Sequence, residues 1–184
     1  NIKNTAIFNN VAKSITAGKN SNIYFGTQGG VINKIDKKGN VSEIFKVQNK
    51  TKTIEYVIES LLFTEPNLLW IGTLNHGLLV YDLQSRKINN ELISKQLKTY
   101  LEGIKTETLL AYTRSKIGNN YIKTICIDED KNVVFGGVGG ITILTSKKNG
   151  NYSSKRFLYK SRYLRFNINK VHKDANNTLW AGTA

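Results

Sequence analysis

A short apolar segment built around a glycine recurs four times along this chain and constrains its fold more than any other feature. The fullest copy is LLWIGTLNHGLLVYD at 68–82. A period in the forties is typical of repeat folds in which similar units stack on one another. The longer middle interval predicts an insertion, which we place at about 91–119. The glycines are 46, 64 and 46 residues apart, at Gly26, Gly72, Gly136 and Gly182.

Each copy keeps two further apolar positions at fixed distances from its glycine. Segments rich in Gly, Asn and Asp separate apolar runs of strand length, a pattern that predicts antiparallel hairpins in series. Eleven residues before the glycines are Ile15, Leu61, Ile125 and Val171, and two residues before them are Tyr24, Trp70, Val134 and Trp180.

These patterns predict an all-β fold made of about three and a half four-stranded antiparallel blades of a β-propeller. The fourth unit stops soon after its WAGT, and propellers close with about four to eight blades. We therefore expect a partial β-propeller over 1–184 that forms part of a larger one. The repeat units are predicted at about 7–50, 54–90, 120–160 and 166–184.

Composition agrees with a sheet protein and predicts no membrane span in this segment. Hydrophobic residues make up 40% of the chain and there is one proline. No apolar run approaches the roughly 20 residues that a membrane helix needs. The N-terminal NIKNTAIFNN lacks the basic-then-apolar pattern of a secretory signal. Methionine is absent, so we expect that the gene product begins before residue 1.

The repeat resembles the two-component regulator propeller repeat, whose pattern is close to G-x-LWIGT-x-x-GGL-x-x-YD. The segment 70–82 matches it closely, and 24–36 matches it well. The segment 134–140 matches more loosely because Trp and Thr are both replaced, and 180–183 matches until the chain ends. Four copies in register cover nearly the whole chain apart from the insertion.

This resemblance implies an extracytoplasmic sensor of a bacterial hybrid two-component system, of the kind found in Bacteroidetes-type bacteria. Such sensors respond to breakdown fragments of glycans, so the expected role is a ligand-binding module in the periplasm or at the cell surface. Similar repeats occur in a surface-attachment component of the type IX secretion system. The alternative is therefore an attachment propeller that binds protein or lipopolysaccharide.

The recurring residues have a packing interpretation and a functional one. Trp70 and Trp180 are predicted to pack between adjacent sheets, since an indole buries a large apolar area. Stacking on sugars is the other interpretation of these rings. Gly72 and its equivalents are predicted where a side chain would crowd the neighbouring blade or where a bulge is needed.

Candidate catalytic and metal-binding residues are few, and no cofactor motif occurs. His76 and His172 lie in different repeats, and no zinc-binding histidine spacing is present. Cys126 is the single cysteine, is expected to pack in a strand and has no disulfide partner. The acids at 128–130 lack the spacing of a calcium loop, and GGVGG at 136–140 lacks the ending of a phosphate loop. We predict a protein that is not an enzyme.

The turns at 28–30, 74–77 and 138–140 occupy the same position in three repeats. Equivalent turns of a propeller gather at one end, where ligands collect. Gln28, Asn75 and His76 are the polar residues of these turns that we predict to contact a ligand.

Positive charge is the feature that the repeat does not explain. The formal net charge is +14, and no acid occurs from Lys131 to Lys173. Within that region basic residues alternate with aromatic ones, including Phe157, and we expect a basic rib backed by packed rings. It is a solvated outer strand or a site for a polyanion such as an acidic glycan; nucleic acid is disfavoured. The predicted anion-binding residues are Lys160, Arg162 and Arg165.

The insertion contains one helical pattern. Leu97, Tyr100, Leu101 and Ile104 are spaced as one face of a helix, which Ser94 would cap. Such a helix would lie on a blade edge or form a contact with another domain, a protein partner or a second copy in a homodimer.

Overall fold

The computed structural model describes residues 11–46, 57–74, 77–88, 121–138, 140–147, 152–157 and 167–183. The predicted insertion at 91–119, with its helix, lies outside the described residues. The described residues form four antiparallel sheets in chain order, which we call blades 1 to 4. No helix in these ranges is long and apolar enough to cross a membrane.

In each blade consecutive strands are hydrogen-bonded neighbours, so the chain meanders from an inner to an outer strand. Blade 1 comprises β1 (Ala12–Ala17), β2 (Ile23–Thr27), β3 (Val31–Ile35) and β4 (Val41–Lys46), with a 3-10 turn at Lys19–Ser21. Blade 2 comprises β5 (Ile58–Thr64), β6 (Leu68–Thr73), β7 (Leu78–Asp82) and β8 (Lys87–Ile88). Blade 3 comprises β9 (Ile122–Ile127), β10 (Val133–Gly137), β11 (Gly140–Ser146) and β12 (Tyr152–Phe157). Blade 4 comprises β13 (Ile168–Lys173) and β14 (Leu179–Thr183).

Aspartates at the ends of strands close the turns that lead to the next strand. Asp36 Oδ1 accepts the backbone N–H of Lys38 at 2.8 Å and of Asn40 at 2.9 Å. These bonds to the charged form lower the pKa of Asp36, with the Asn40 side chain as the largest cause. Asp82, one repeat later, accepts the N–H of Gln84 in the same way. Turn closure therefore occupies acids that a metal site would otherwise use.

The core consists of apolar clusters between consecutive blades. Tyr24 and Ile32 of blade 1 pack on Leu61 and Leu69 of blade 2. Trp70 lies fully buried between blades 2 and 3 beside Val133. The predicted packing role is therefore confirmed for this tryptophan.

The same prediction is wrong for Trp180. Its side chain is 61% exposed, because no sheet covers that face of blade 4 in the described part of the chain. Its indole Nε1 instead donates a 2.7 Å hydrogen bond to Asp174 Oδ2.

Three of the four repeat glycines lie where the next blade comes closest, and Gly182, in blade 4, has no such neighbour among the described residues. A Cβ built on Gly72 would stand 2.8 Å from Ile122 Cγ2, and one on Gly136 would stand 2.7 Å from Ile168 Cγ2. A Cβ on Gly26 would overlap the side chain of Ile58. The predicted crowding at these glycines is confirmed, and the colliding residue opens the inner strand of the following blade each time.

Hydroxyl groups at one repeated position of the inner strands link consecutive blades. The three bonds join Ser14 Oγ to Ile58 O at 3.4 Å, Ser60 Oγ to Ile122 O at 3.5 Å, and Val171 N to Thr124 Oγ1 at 3.2 Å. The blades are thus fastened by polar contacts along the inner strands as well as by the apolar clusters.

Candidate ligand-binding end of the propeller

The turns between the second and third strands of the blades lie beside the starts of the inner strands. Gln28 N donates to Val11 O at 3.0 Å, and Leu74 N donates to Val57 O at 3.1 Å. In blade 3 the corresponding residue, Val138, forms a bridge with Asn167 at the start of blade 4. We call this end of the molecule the turn end.

The threonines of the Gly-Thr pairs hold these turns. The Thr27 hydroxyl donates to Val31 O at 3.2 Å, and the Thr73 hydroxyl donates to Gly77 O at 2.8 Å. Both threonine side chains are buried. Gly77 has φ of 70°, a conformation that costs glycine little. The same hydrogen bond from a threonine hydroxyl therefore fixes both turns. The preference of threonine for strands did not indicate this role.

Each inner strand has an irregular register at its second residue. The pairing passes from Ile58 to Ser60 without Glu59, and the other three blades skip the residue at the same repeat position. A residue that a bulge leaves outside the ladder is re-aimed, and bulges are frequent next to functional sites. We call the four skipped residues the bulge residues: Lys13, Glu59, Lys123 and Asn169.

All four bulge residues are charged or carry an amide. They occupy the second position of strands that begin at the turn end, so they lie close to the equivalent turns. Repetition in a propeller brings one such residue per blade to the same end of the molecule. The bulge residues are therefore the candidate ligand contacts that this fold presents.

Two bulge residues contact each other across the junction of blades 3 and 4. Lys123 Nζ donates to Asn169 Oδ1 at 2.6 Å and lies 5.1 Å from the ring centroid of Tyr121. Burial raises the pKa of the Tyr121 phenol, and the nearby charge of Glu59 raises it further. The phenol therefore remains a hydrogen-bond donor at neutral pH. Cation, phenol and amide thus lie near one another at the turn end.

The residues predicted from the turns are only partly described. Gln28 is half-buried at the turn end, with its backbone N–H bonded to Val11. Asn75 and His76 lie outside the described residues, so their ligand contacts stay predictions. Sequence reasoning missed the bulge residues. A polar residue thirteen positions before each repeat glycine was the available signal.

The candidate catalytic residues show structural contacts. Cys126 packs beside the cluster of Val134 and Val171, and burial raises the pKa of its thiol. Asp128 accepts the backbone N–H and the side-chain amide of Asn132 at 2.8 and 2.7 Å. Across the described ranges, no three His, Cys, Asp or Glu side chains converge as a metal site would require.

The predicted basic rib is only partly described, and one part of the expectation is wrong. Phe157 was expected to be a packed ring but is 48% exposed. It ends the outer strand β12, and Lys155 Nζ of the same strand lies 5.1 Å from its centroid. The ring therefore contacts a lysine at the sheet edge. Lys160, Arg162 and Arg165 lie outside the described residues, so their role stays a prediction.

The four stacked antiparallel sheets define a β-propeller fold, as predicted. No protein-family model matches the chain. Among solved structures, it resembles the extracellular domain of a proposed hybrid two-component system from B. thetaiotaomicron, with a TM-score of 0.66 and 21% identity. That alignment covers 96% of this chain and 21% of the other. The predicted resemblance to two-component sensor propellers is thus confirmed at the level of the fold.

Two other similarities concern an enzyme and a kinase. Catalytically inactive virginiamycin B lyase from Staphylococcus aureus, solved with quinupristin, gives a TM-score of 0.60 at 10% identity, over 93% of this chain and 48% of the lyase. Histidine kinase P4 from Formosa agariphila is 24% identical over 185 residues. That match takes in 100% of this chain and 12% of the kinase. The chain therefore spans a small part of the length of these sensor and kinase relatives.

Proposed function

We propose that this chain is a ligand-binding propeller module without catalytic activity, which detects a glycan fragment as the extracytoplasmic sensor part of a two-component signalling protein. One observation carries the proposal. A bulge in every described blade places a polar side chain at the turn end, beside the turns that repeat from blade to blade. Polar groups that converge from several blades suit a ligand rich in hydroxyl groups.

The comparisons favour a sensor over other propeller roles. The fold is similar to an extracellular domain of a proposed two-component system, and the curated relative is a histidine kinase. Because the chain covers 12% of that kinase, signalling would come from segments outside this sequence. A location in the periplasm or at the cell surface is part of the proposal, as are the unit boundaries given above.

A non-catalytic role rests on how the described reactive groups are used. The Cys126 thiol is packed and its pKa is raised. Asp36, Asp82 and Asp174 accept turn N–H groups. A surface-attachment propeller that binds protein or lipopolysaccharide is the alternative, and the experiment below separates it from a glycan sensor.

Thermal unfolding with a panel of oligosaccharides tests the proposed function. We expect at least one glycan to raise the Tm, since a ligand at 100 times its Kd stabilises the folded state by about 2.7 kcal/mol. Glu59→Ala should remove this shift because it deletes a bulge residue. Glu43→Ala, on the outer strand β4, is the matched control and should keep it.

Mass spectrometry of the glycan after incubation should show it unchanged. A cleaved or eliminated product would contradict the absence of catalysis. No Tm shift with any glycan, together with a shift caused by lipopolysaccharide, would favour the attachment role. An equal loss of the Tm shift in Glu59→Ala and Glu43→Ala would contradict the assignment of the bulge residues to the ligand site.

A further inference from the structure

Lys123 carries a positive charge that the fold holds in place without neutralising it. Its ammonium donates to Asn169 Oδ1 at 2.6 Å and lies 5.1 Å from the centre of the Tyr121 ring. A lysine ammonium has three N–H donors, so these contacts leave donor capacity. Within the described ranges, Lys19 forms an ion pair with Glu65. No carboxylate of these ranges forms an ion pair with Lys123.

A buried acceptor lies at the same junction. Asn167 opens blade 4 and bridges Val138 of the blade 3 turn. Its Oδ1 atom is buried, and no group of the described residues donates to it. A buried acceptor without a donor is costly, so a ligand that supplies an O–H or N–H here would gain affinity. Asn167 is two residues before Asn169, the partner of Lys123.

Gly137 brings the other half of the junction close to this acceptor. A Cβ on Gly137 would overlap the carbonyl group of Tyr121, so the start of β9 lies against the blade 3 turn. Val138, the next residue, bridges Asn167. Tyr121, Lys123, Asn167 and Asn169 are thus brought together from two blades, and we call these four residues the junction cluster.

We propose that the junction cluster binds one uronate unit of an acidic oligosaccharide. Lys123 contacts the sugar carboxylate, and the Asn167 side chain rotates so that its Oδ1 accepts a hydroxyl of the same unit. The inference rests on the proposed function and narrows its glycan to an acidic class. It places acid recognition at the turn end, apart from the basic residues predicted at 160–165.

The charge pattern favours a monoanionic carboxylate over a phosphate. Lys123 is one cation whose side-chain partner, Asn169, is neutral. A carboxylate matches the single positive charge of Lys123, whereas a dianion would need a second cation beside it. Because Asn169 already orients the ammonium, little side-chain entropy is lost when the ligand binds.

Binding of oligogalacturonate, oligomannuronate and oligoguluronate, measured by titration calorimetry, tests the proposal. Each acidic oligomer is compared with its methyl ester, which keeps the sugar and removes the charge. We expect one acid to bind at least about tenfold more tightly than its ester, as a charge-assisted hydrogen bond implies. Raising the salt concentration should weaken the acid and leave the ester unchanged.

Two variants assign the effect to the junction. Lys123→Met removes the charge and should weaken acid binding about 10- to 100-fold. Asn169→Asp keeps the size of the side chain but supplies a carboxylate to Lys123, and it should weaken acid binding similarly. Lys155→Met is the matched control, because Lys155 also lies 5.1 Å from an aromatic ring in blade 3 but on the outer strand. It should bind like the wild type.

The outcomes separate this inference from the proposed function. Tight binding of neutral glycans or esters, with Lys123→Met unaffected, would overturn the uronate site and leave the sensor proposal standing. Failure of every acidic and neutral glycan would overturn both. A loss in Lys155→Met equal to that in Lys123→Met would show general electrostatic attraction. Far-ultraviolet circular dichroism of each variant checks that the fold is kept.

Discussion

At the scale of single residues, one buried side chain departs from the repeat. Asn33 lies on β3, fully buried, and neither amide atom has a hydrogen-bond partner among the described residues. The residues that pair at the same position in blades 2 and 3 are Leu79 and Thr142, and both are half-buried. Burying an amide without partners costs about 1–3 kcal/mol, so this position destabilises blade 1.

Asn33→Val is therefore expected to raise the free energy of unfolding by about 1–2 kcal/mol. Valine removes the unpaired amide, differs little in volume and suits a strand. Urea unfolding followed by circular dichroism measures the change. Ser42→Val, on the exposed face of β4, is the control and should change stability by less than about 0.5 kcal/mol. A less stable Asn33→Val protein would mean that the amide has a partner.

The repeat glycines provide an internal comparison. Gly72→Ala places a methyl group against Ile122 and should destabilise the protein by about 1–3 kcal/mol through overpacking. Gly182→Ala has the same repeat position, but its nearest neighbour, Lys170 O, is 3.9 Å from the added Cβ. It should therefore be close to neutral in the same unfolding measurement. Similar losses in both variants would argue against the crowding explanation.

At the scale of elements, the strands and turns were predictable but the bulges were not. The four repeat units were placed from apolar runs separated by Gly, Asn and Asp, which are local signals. A bulge shifts the register between two strands. A sequence analysis that assumes strict alternation of side chains between the two faces of a strand does not detect this shift. Ile58 and Leu61 are three residues apart yet join one cluster. A regular strand would place them on opposite faces, so this spacing was the sign of a bulge.

The turn end depends on a bond that one substitution can remove. Thr73→Val keeps the shape and deletes the 2.8 Å hydroxyl bond to Gly77 O. We expect a loss of about 1 kcal/mol and faster amide hydrogen exchange in the turn after β6. Thr145→Val, on an exposed part of β11, should leave both unchanged. Unaltered exchange in Thr73→Val would show that the backbone bond from Thr73 N to Gly77 O suffices.

At the scale of the whole molecule, each blade depends on its neighbour. Leu61 of blade 2 is buried under blade 1, whereas Ile15, at the same position of blade 1, is 68% exposed. Trp180 is exposed on the opposite face of the stack for the same reason. The fold class could be predicted because local periodicity repeats. Burial at the first and last described blades could not, because it depends on what lies beside them.

In the proposed ligand site, the bulges separate the residues assigned to recognition from those that maintain the architecture. Lys13, Glu59, Lys123 and Asn169 lie outside the strand pairing, so their identity is released from the demands of the ladder. Each blade then contributes one position at which the side chain can vary. Substitution of one bulge residue at a time would change what the proposed site recognises. The packing between the blades would stay unaltered.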